Sequence, residues 1–309
     1  MSQAAWYAIR ASRPALDQGL RRGTGTATRP GLHFRPTSFN GYPTVHDSYM
    51  VLGEAKSGTT ALFTSVNASV PDPKETFFEP VSLQPVGDAL STANVVAKVL
   101  VGQIKVDQVE IIEHFAKVLM IIRDPRDTLV SRLLYRVREM KFIHHPDKVA
   151  RFMTALHEKE SDPSSWSLIG LYELLSDISG EENPLPIFVS LHNKTVNMAR
   201  RLSGQTHVLL YEDFVADVTD AADRYIGFSV SSRVEVDSTY RRVTRTKGSG
   251  DWKNWFTAED ESYAREKYAR YLDHFGYTAW DRAEPPFVDP ATTSEYVKNI
   301  IQMKLNRTG

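Results

Sequence analysis

Cysteine is absent from all 309 residues. Disulfides and thiolate metal ligands are therefore excluded, and the redox compartment is left open. Charge of one sign is not in excess either: 37 Lys and Arg face 38 Asp and Glu, a net charge of −1. So balanced a chain has no overall field for nucleic acid or a membrane surface, and its cation clusters are expected to serve local groups. No run of about 18 apolar residues occurs, so no membrane span is expected. An apolar h-region near the start is also missing, which argues against secretion and leaves a soluble, cytoplasmic protein as the expectation. No internal repeat is visible.

What is present divides into three stretches. Residues 1–44 carry Arg10, Arg13, Arg21, Arg22, Arg29 and Arg35 against a lone Asp17, with Gly, Thr and Pro throughout. That composition suits a flexible arm and also resembles an organellar transit peptide. Residues 45–280 hold the apolar runs and the motifs. In residues 281–309, Ala283-Glu284-Pro285-Pro286 reads as a linker and Ser294 to Leu305 as a helix that packs either on its own domain or on a second subunit in a homodimer. A hydrophobic content of 41% is enough for one large α/β core.

The run Tyr49-Met50-Val51-Leu52 reads as a buried strand, and Ala61, Leu62, Val66 and Val70 as one face of a helix. Between them lies Gly53-Glu54-Ala55-Lys56-Ser57-Gly58-Thr59-Thr60. Its glycines keep the spacing of the G-x-x-x-x-G-K-[ST] phosphate loop, but Thr59 stands in the lysine's place and Lys56 has moved inside the loop. Backbone N–H groups and the helix N-terminus would cradle an anion there, helped by the Thr59 and Thr60 hydroxyls. No apolar run ends in a Walker-B aspartate, and no metal is demanded. His144-His145 lacks the i, i+4 spacing that sets two imidazoles on one helix face, so it is not expected to bind metal.

A second apolar run, Val118 to Ile122, reads as a central parallel strand ending in Arg123-Asp124-Pro125-Arg126-Asp127. Leu129, Leu133 and Val137 then predict a helix starting near Asp127, with Ser131 close to its beginning. Arg123 and Ser131 can meet around a second anion. Further on, Arg245-Thr246-Lys247-Gly248-Ser249-Gly250-Asp251-Trp252-Lys253-Asn254 is a basic, glycine-rich loop where two cations could close over the same group. Trp252 and Trp255 are expected to pack it onto the core.

These segments together resemble the sulfotransferase superfamily that uses 3′-phosphoadenosine 5′-phosphosulfate (PAPS). Gly53 to Thr60 is similar to its PKSGTT loop, Arg123 to Ser131 to its RDPRDxxxS segment, Tyr211-Glu212-Asp213 to its YED segment, and Gly250 to Asn254 to its GDWKN signature. The resemblance implies an α/β fold with a P-loop-like, mainly parallel central sheet flanked by helices on both faces. It implies that Lys56, Ser57, Gly58, Thr59 and Thr60 hold the 5′-phosphosulfate, that Arg123 and Ser131 hold the 3′-phosphate, and that Tyr211 approaches the adenine. Arg245 matches the third loop's arginine. Thr246 replaces its lysine, so Lys247 beside Gly248 is assigned to the cofactor from charge and proximity alone.

Sulfuryl transfer in line between two oxygens requires positioning, neutralisation of the leaving phosphate and removal of the acceptor's proton. Lys56 suits the second task. Where cytosolic members of the superfamily carry K-T-H-L-P, this chain reads Lys98-Val99-Leu100, keeping the lysine and losing the histidine. The base must then come from elsewhere, and Lys74-Glu75-Thr76-Phe77-Phe78-Glu79-Pro80 offers two carboxylates. Glu75 is the first choice, its offset being close to that of the tyrosylprotein branch; Glu79 resembles the F-E-P of carbohydrate branches. The acceptor is expected to be a hydroxyl or amine. A nucleotide or small-molecule kinase and a non-catalytic PAP-binding protein are the rival readings.

Overall fold

The computed structural model describes residues 47–235 and 248–308; the arm of residues 1–44 lies outside them. Five strands form one sheet: β1 (Ser48–Gly53), β2 (Lys74–Phe78), β3 (Asn94–Leu100), β4 (Lys117–Ile122) and β5 (Thr206–Leu210). Their order is β2-β3-β1-β4-β5, and every pairing is parallel. A parallel sheet must be covered on both faces, which explains why the central strands read as unbroken apolar runs. Met50 and Leu52 enter the core on one face while Val51 enters the core on the other.

Register sets the ligand end. Gly53 pairs with Leu100 and Ile121, and Ile122 with Leu210, so the central strands finish at one level. After β1 the chain crosses to β2 and β3 on one side, whereas β4 and β5 extend the other side. The loops leaving β1 and β4 therefore diverge, opening the crevice where parallel α/β sheets bind ligands.

Helices α1 (Thr59–Ser69) and α2 (Pro125–Arg136) start from those two loops, and α3 (Leu185–Arg201) and α4 (Ser294–Thr308) pack behind them. Leu62 and Val66 of α1 cover one face of the sheet, and Val196 and Ala199 of α3 cover the other. Helix α2 starts at Pro125, two residues before the expected Asp127. Proline's fixed φ suits the first helical position, and the Asp124 side chain caps the turn by accepting from Arg126 N at 2.9 Å. Leu129 and Leu133 of α2 then join Phe152, Tyr172 and Trp255 in a further core. Val297 and Ile301 of α4 enter that same core, so the terminal helix packs on its own domain. Among the described residues, no helix is long and apolar enough to cross a membrane.

Candidate functional site

Close packing dictates the two glycines of the loop after β1. A Cβ at Gly53 would stand 2.7 Å from the Ile121 carbonyl oxygen, and one at Gly58 would stand 2.5 Å from the Tyr211 ring. Gly58 also sits at φ 92°, in the left-handed region, as the residue from which α1 starts. No side chain caps α1, so its first amides face the crevice end with their dipole. Lys56 adopts φ 71°, uncommon for a residue with a side chain, and its ammonium lies 4.0 Å from the centre of the Tyr135 ring.

The corner after β4 meets this loop through Arg123. One guanidinium nitrogen donates to the Lys56 carbonyl at 3.1 Å and another to the Gly248 carbonyl at 3.2 Å, while the group stacks 4.3 Å from the Tyr211 ring centre. Its Nε is buried and has no hydrogen-bond partner among the described residues. Lys56, Gly58, Arg123, Tyr211 and Gly248 are thus brought together. Tyr211 is buried at the start of a short helix after β5, pressed between the loop and Arg123. Ser131 is buried in the second turn of α2. Arg245 and Lys247 lie outside the described residues.

The glycine-rich segment is tied down by Asp127, which accepts from Gly250 N at 2.6 Å and Trp252 N at 3.0 Å. Burial pushes its carboxyl up to about 6 against the pull of Arg123. Trp252 and Trp255 are buried in the core, and Arg126 is held 3.8 Å from the Trp252 ring and 4.5 Å from Trp280 while its fork grips Asp124 at 2.7 Å. Asp124 N in turn donates to Glu212, whose carboxyl burial and the neighbouring Asp124 raise to about 7. These two tryptophans anchor the loop rather than line a cleft.

On the other side of the loop, Lys98 of β3 donates to Thr60 Oγ1 at 2.7 Å and to Glu79 Oε1 at 2.5 Å, with the Phe78 ring 4.1 Å away. Burial lowers the lysine's pKa and Glu79 opposes the shift. Glu79 sits just past β2 at φ 50°, its amide donating to the Lys98 carbonyl at 2.9 Å. Glu75 is elsewhere. It pairs with Val95, which also pairs with Ser48, so it stands at the beginning of the strands, about 13 Å of extended chain below Glu79. Thr76 and Phe78 face α1, through Asn67 and Phe63, whereas Phe77 enters the opposite core. Strand alternation puts the exposed Glu75 on Phe77's side, away from Lys98 and Thr60. Glu75 thus stands apart from Lys98 and Thr60, whereas Glu79 lies beside them.

One group escaped the sequence reading. Glu54, inside the loop, turns into the protein, where its side chain is only 2% exposed. Oε1 accepts from His192 Nδ1 at 2.9 Å and Thr195 Oγ1 at 2.6 Å, and Oε2 accepts from Arg132 at 2.6 Å. Burial alone would raise its carboxyl, but His192, Arg132 and Thr195 outweigh that and hold it at about 2. A carboxylate within a loop shaped for an anion was the available signal, because like charges side by side call for a neutralising partner.

With this geometry in place, comparison with known proteins gives a family. A sulfotransferase domain model matches residues 46–242. Among solved structures, the chain is similar to mouse sulfotransferase SULT7A1 complexed with PAP, at 16% identity and a TM-score of 0.47, over 76% of this chain and 87% of that one. No curated protein matches the sequence.

Proposed function

This chain belongs to the sulfotransferase domain family, and from that premise we propose that it moves a sulfuryl group from PAPS to a hydroxyl or amine acceptor, with Glu79 as the base. The observation that carries the donor assignment is Arg123. Its guanidinium bridges the loop after β1 and the glycine-rich segment, and among the described residues it keeps one buried donor, Nε, without a partner. A buried cationic donor left unsatisfied is costly, and an anion's oxygen arriving there removes the cost. The 3′-phosphate is assigned to Arg123 with Ser131, and the 5′-phosphosulfate to the uncapped start of α1 and the loop residues Lys56 to Thr60.

In the transfer, Glu79 takes the proton from the acceptor oxygen as that oxygen bonds to sulfur. The bond from sulfur to the phosphate oxygen breaks, and Lys56 neutralises the charge that grows on that oxygen. Lys98 holds Thr60 and Glu79 together, so the base and one phosphosulfate ligand move as a unit. No step calls on a metal.

A calorimetric titration separates this reading from a kinase. PAP should bind without magnesium and more tightly than ATP with it; the reverse, with phosphoryl transfer, would overturn the sulfotransferase assignment. Transfer of labelled sulfate from PAPS to a panel of sugars, phenols, alcohols and peptides identifies the acceptor class. A protein that binds PAP and labels none of them would be a binding protein instead.

A further inference from the structure

We propose that Glu54 is a positioning residue for the anion loop: its carboxylate, gripped from behind by Arg132, His192 and Thr195, locks Gly53 to Gly58 in the form that receives the donor. The proposal rests on the donor assignment above for its ligand, but the lock is a property of the chain alone.

Burying a carboxylate carries a penalty of several kcal/mol unless it is fully paired, and a small neutral residue would avoid it. Glu54 must therefore bring something that alanine would not. Its three donors come from two helices behind the loop, Arg132 from α2 and His192 and Thr195 from α3. Because a carboxylate only accepts, His192 Nδ1 carries the proton between them. The same Arg132 nitrogen reaches the Ala55 carbonyl at 3.3 Å, Ser57 Oγ donates to the Glu54 carbonyl at 2.7 Å, and Arg123 donates to the Lys56 carbonyl. Three successive carbonyls of the loop are thus tied by side chains.

That explains how Lys56 stays at φ 71°. A left-handed residue with a side chain is strained and persists only when its surroundings over-determine it. The lock also reaches the second anion segment. The His192 ring packs 4.9 Å from that of Tyr271, whose hydroxyl donates to the Arg123 carbonyl at 3.1 Å. One buried node is in contact with both loops that are assigned to the donor's phosphates, and it keeps its own negative charge covered by Arg132 on the side away from the crevice.

The test uses the full chain, with Glu54→Gln and the double variant Glu54→Gln/Arg132→Met. Thermal unfolding, PAP titration and hydrogen exchange of the peptide spanning residues 53–60 are read on each. Glu54→Gln should weaken PAP at least 10-fold and speed exchange of the loop amides by a similar factor, leaving β1 and β4 protected. The double variant, which removes the unpaired cation, should recover melting temperature but neither PAP affinity nor loop protection. A purely structural ion pair predicts otherwise: affinity would return with stability, and that result would overturn the proposal. So would a PAP affinity within twofold of wild type in a folded Glu54→Gln. If neither variant folds, ligand-free wild type decides, since loop amides exchanging as fast as those of an unstructured peptide would show that no lock exists. Failure of wild type to bind PAP would sink the donor assignment and leave the exchange measurements to judge the lock.

Discussion

Behind the anion loop Glu54 is almost wholly buried and accepts from three side chains, whereas at the mouth of the crevice Glu79 keeps 31% of its side chain exposed and has Lys98 as its ion-pair partner. A carboxyl held at about 2 and sealed from solvent stays an anion through the neutral range, and so serves as an anchor. One that is reachable and paired on a single side can meet an acceptor and take its proton. The two glutamates differ in what surrounds them, and on the proposed reading that difference divides holding the donor from performing the chemistry.

The largest expected effect breaks the chemical side. Glu79→Gln keeps the shape and removes the proton acceptor, so turnover should fall by about 10² to 10⁴ while PAP affinity changes little. Steady-state rates alongside PAP titration check this. Equal losses in both would make Glu79 a binding group.

Acid should break the holding side. The folded-state pKa of Glu54 lies below its ordinary 4.5, so the stability it contributes is present above pH 4.5 and is lost as pH falls toward 2. At about 1.4 kcal/mol per unit, the whole contribution is on the order of 3 kcal/mol. The gap in unfolding free energy between wild type and Glu54→Gln, measured by denaturant titration, should therefore narrow by roughly 2 kcal/mol between pH 7 and pH 3. A constant gap would mean that the charge on Glu54 does not matter to the fold.

A smaller effect sharpens the donor assignment. Arg123→Ala should weaken PAP by about 1.5–3 kcal/mol and its analogue lacking the 3′-phosphate by much less, because charge-assisted hydrogen bonds are lost only where the phosphate is present. Calorimetry with the two ligands decides. Equal losses would move the 3′-phosphate away from Arg123 and, with it, from Ser131.

Much of this arrangement was legible in the sequence, and for local reasons. The apolar runs of β1 and β4 and the glycine spacing from Gly53 to Gly58 are patterns carried by a few adjacent residues, although Gly53 packs against Ile121 and Gly58 against Tyr211. The start of α2 was missed by two residues, although Asp124-Pro125 is a capping residue followed by a first-turn proline. What escaped depends on distant partners. Glu54 meets His192 across 138 residues, and Asp127 holds Gly250 across 123. Nothing near Glu54 tells whether it points at the ligand or away from it. The choice between Glu75 and Glu79 turned on the register of β2 against β3, which short edge strands specify weakly from their own residues.

That register supplies the smallest expected effect and the sharpest discrimination. Glu75 is exposed, lies at the beginning of β2 and shares Phe77's face, so Glu75→Gln should leave turnover within twofold and stability within about 0.5 kcal/mol. A loss of 100-fold or more would have a specific structural meaning. Sliding β2 by three residues would carry Glu75 to the place of Phe78, level with Lys98, and an odd shift would also turn it onto the face of α1. The same slide would pull Phe78 from its edge-on contact with Phe63, 5.5 Å between ring centres, and move Phe77 out of the opposite core. Partial burial of two phenylalanines opposes that shift, full burial of each being worth about 1.5–3 kcal/mol. An inert Glu75 and a crippled Glu79→Gln would therefore confirm both the base and the strand register that presents it.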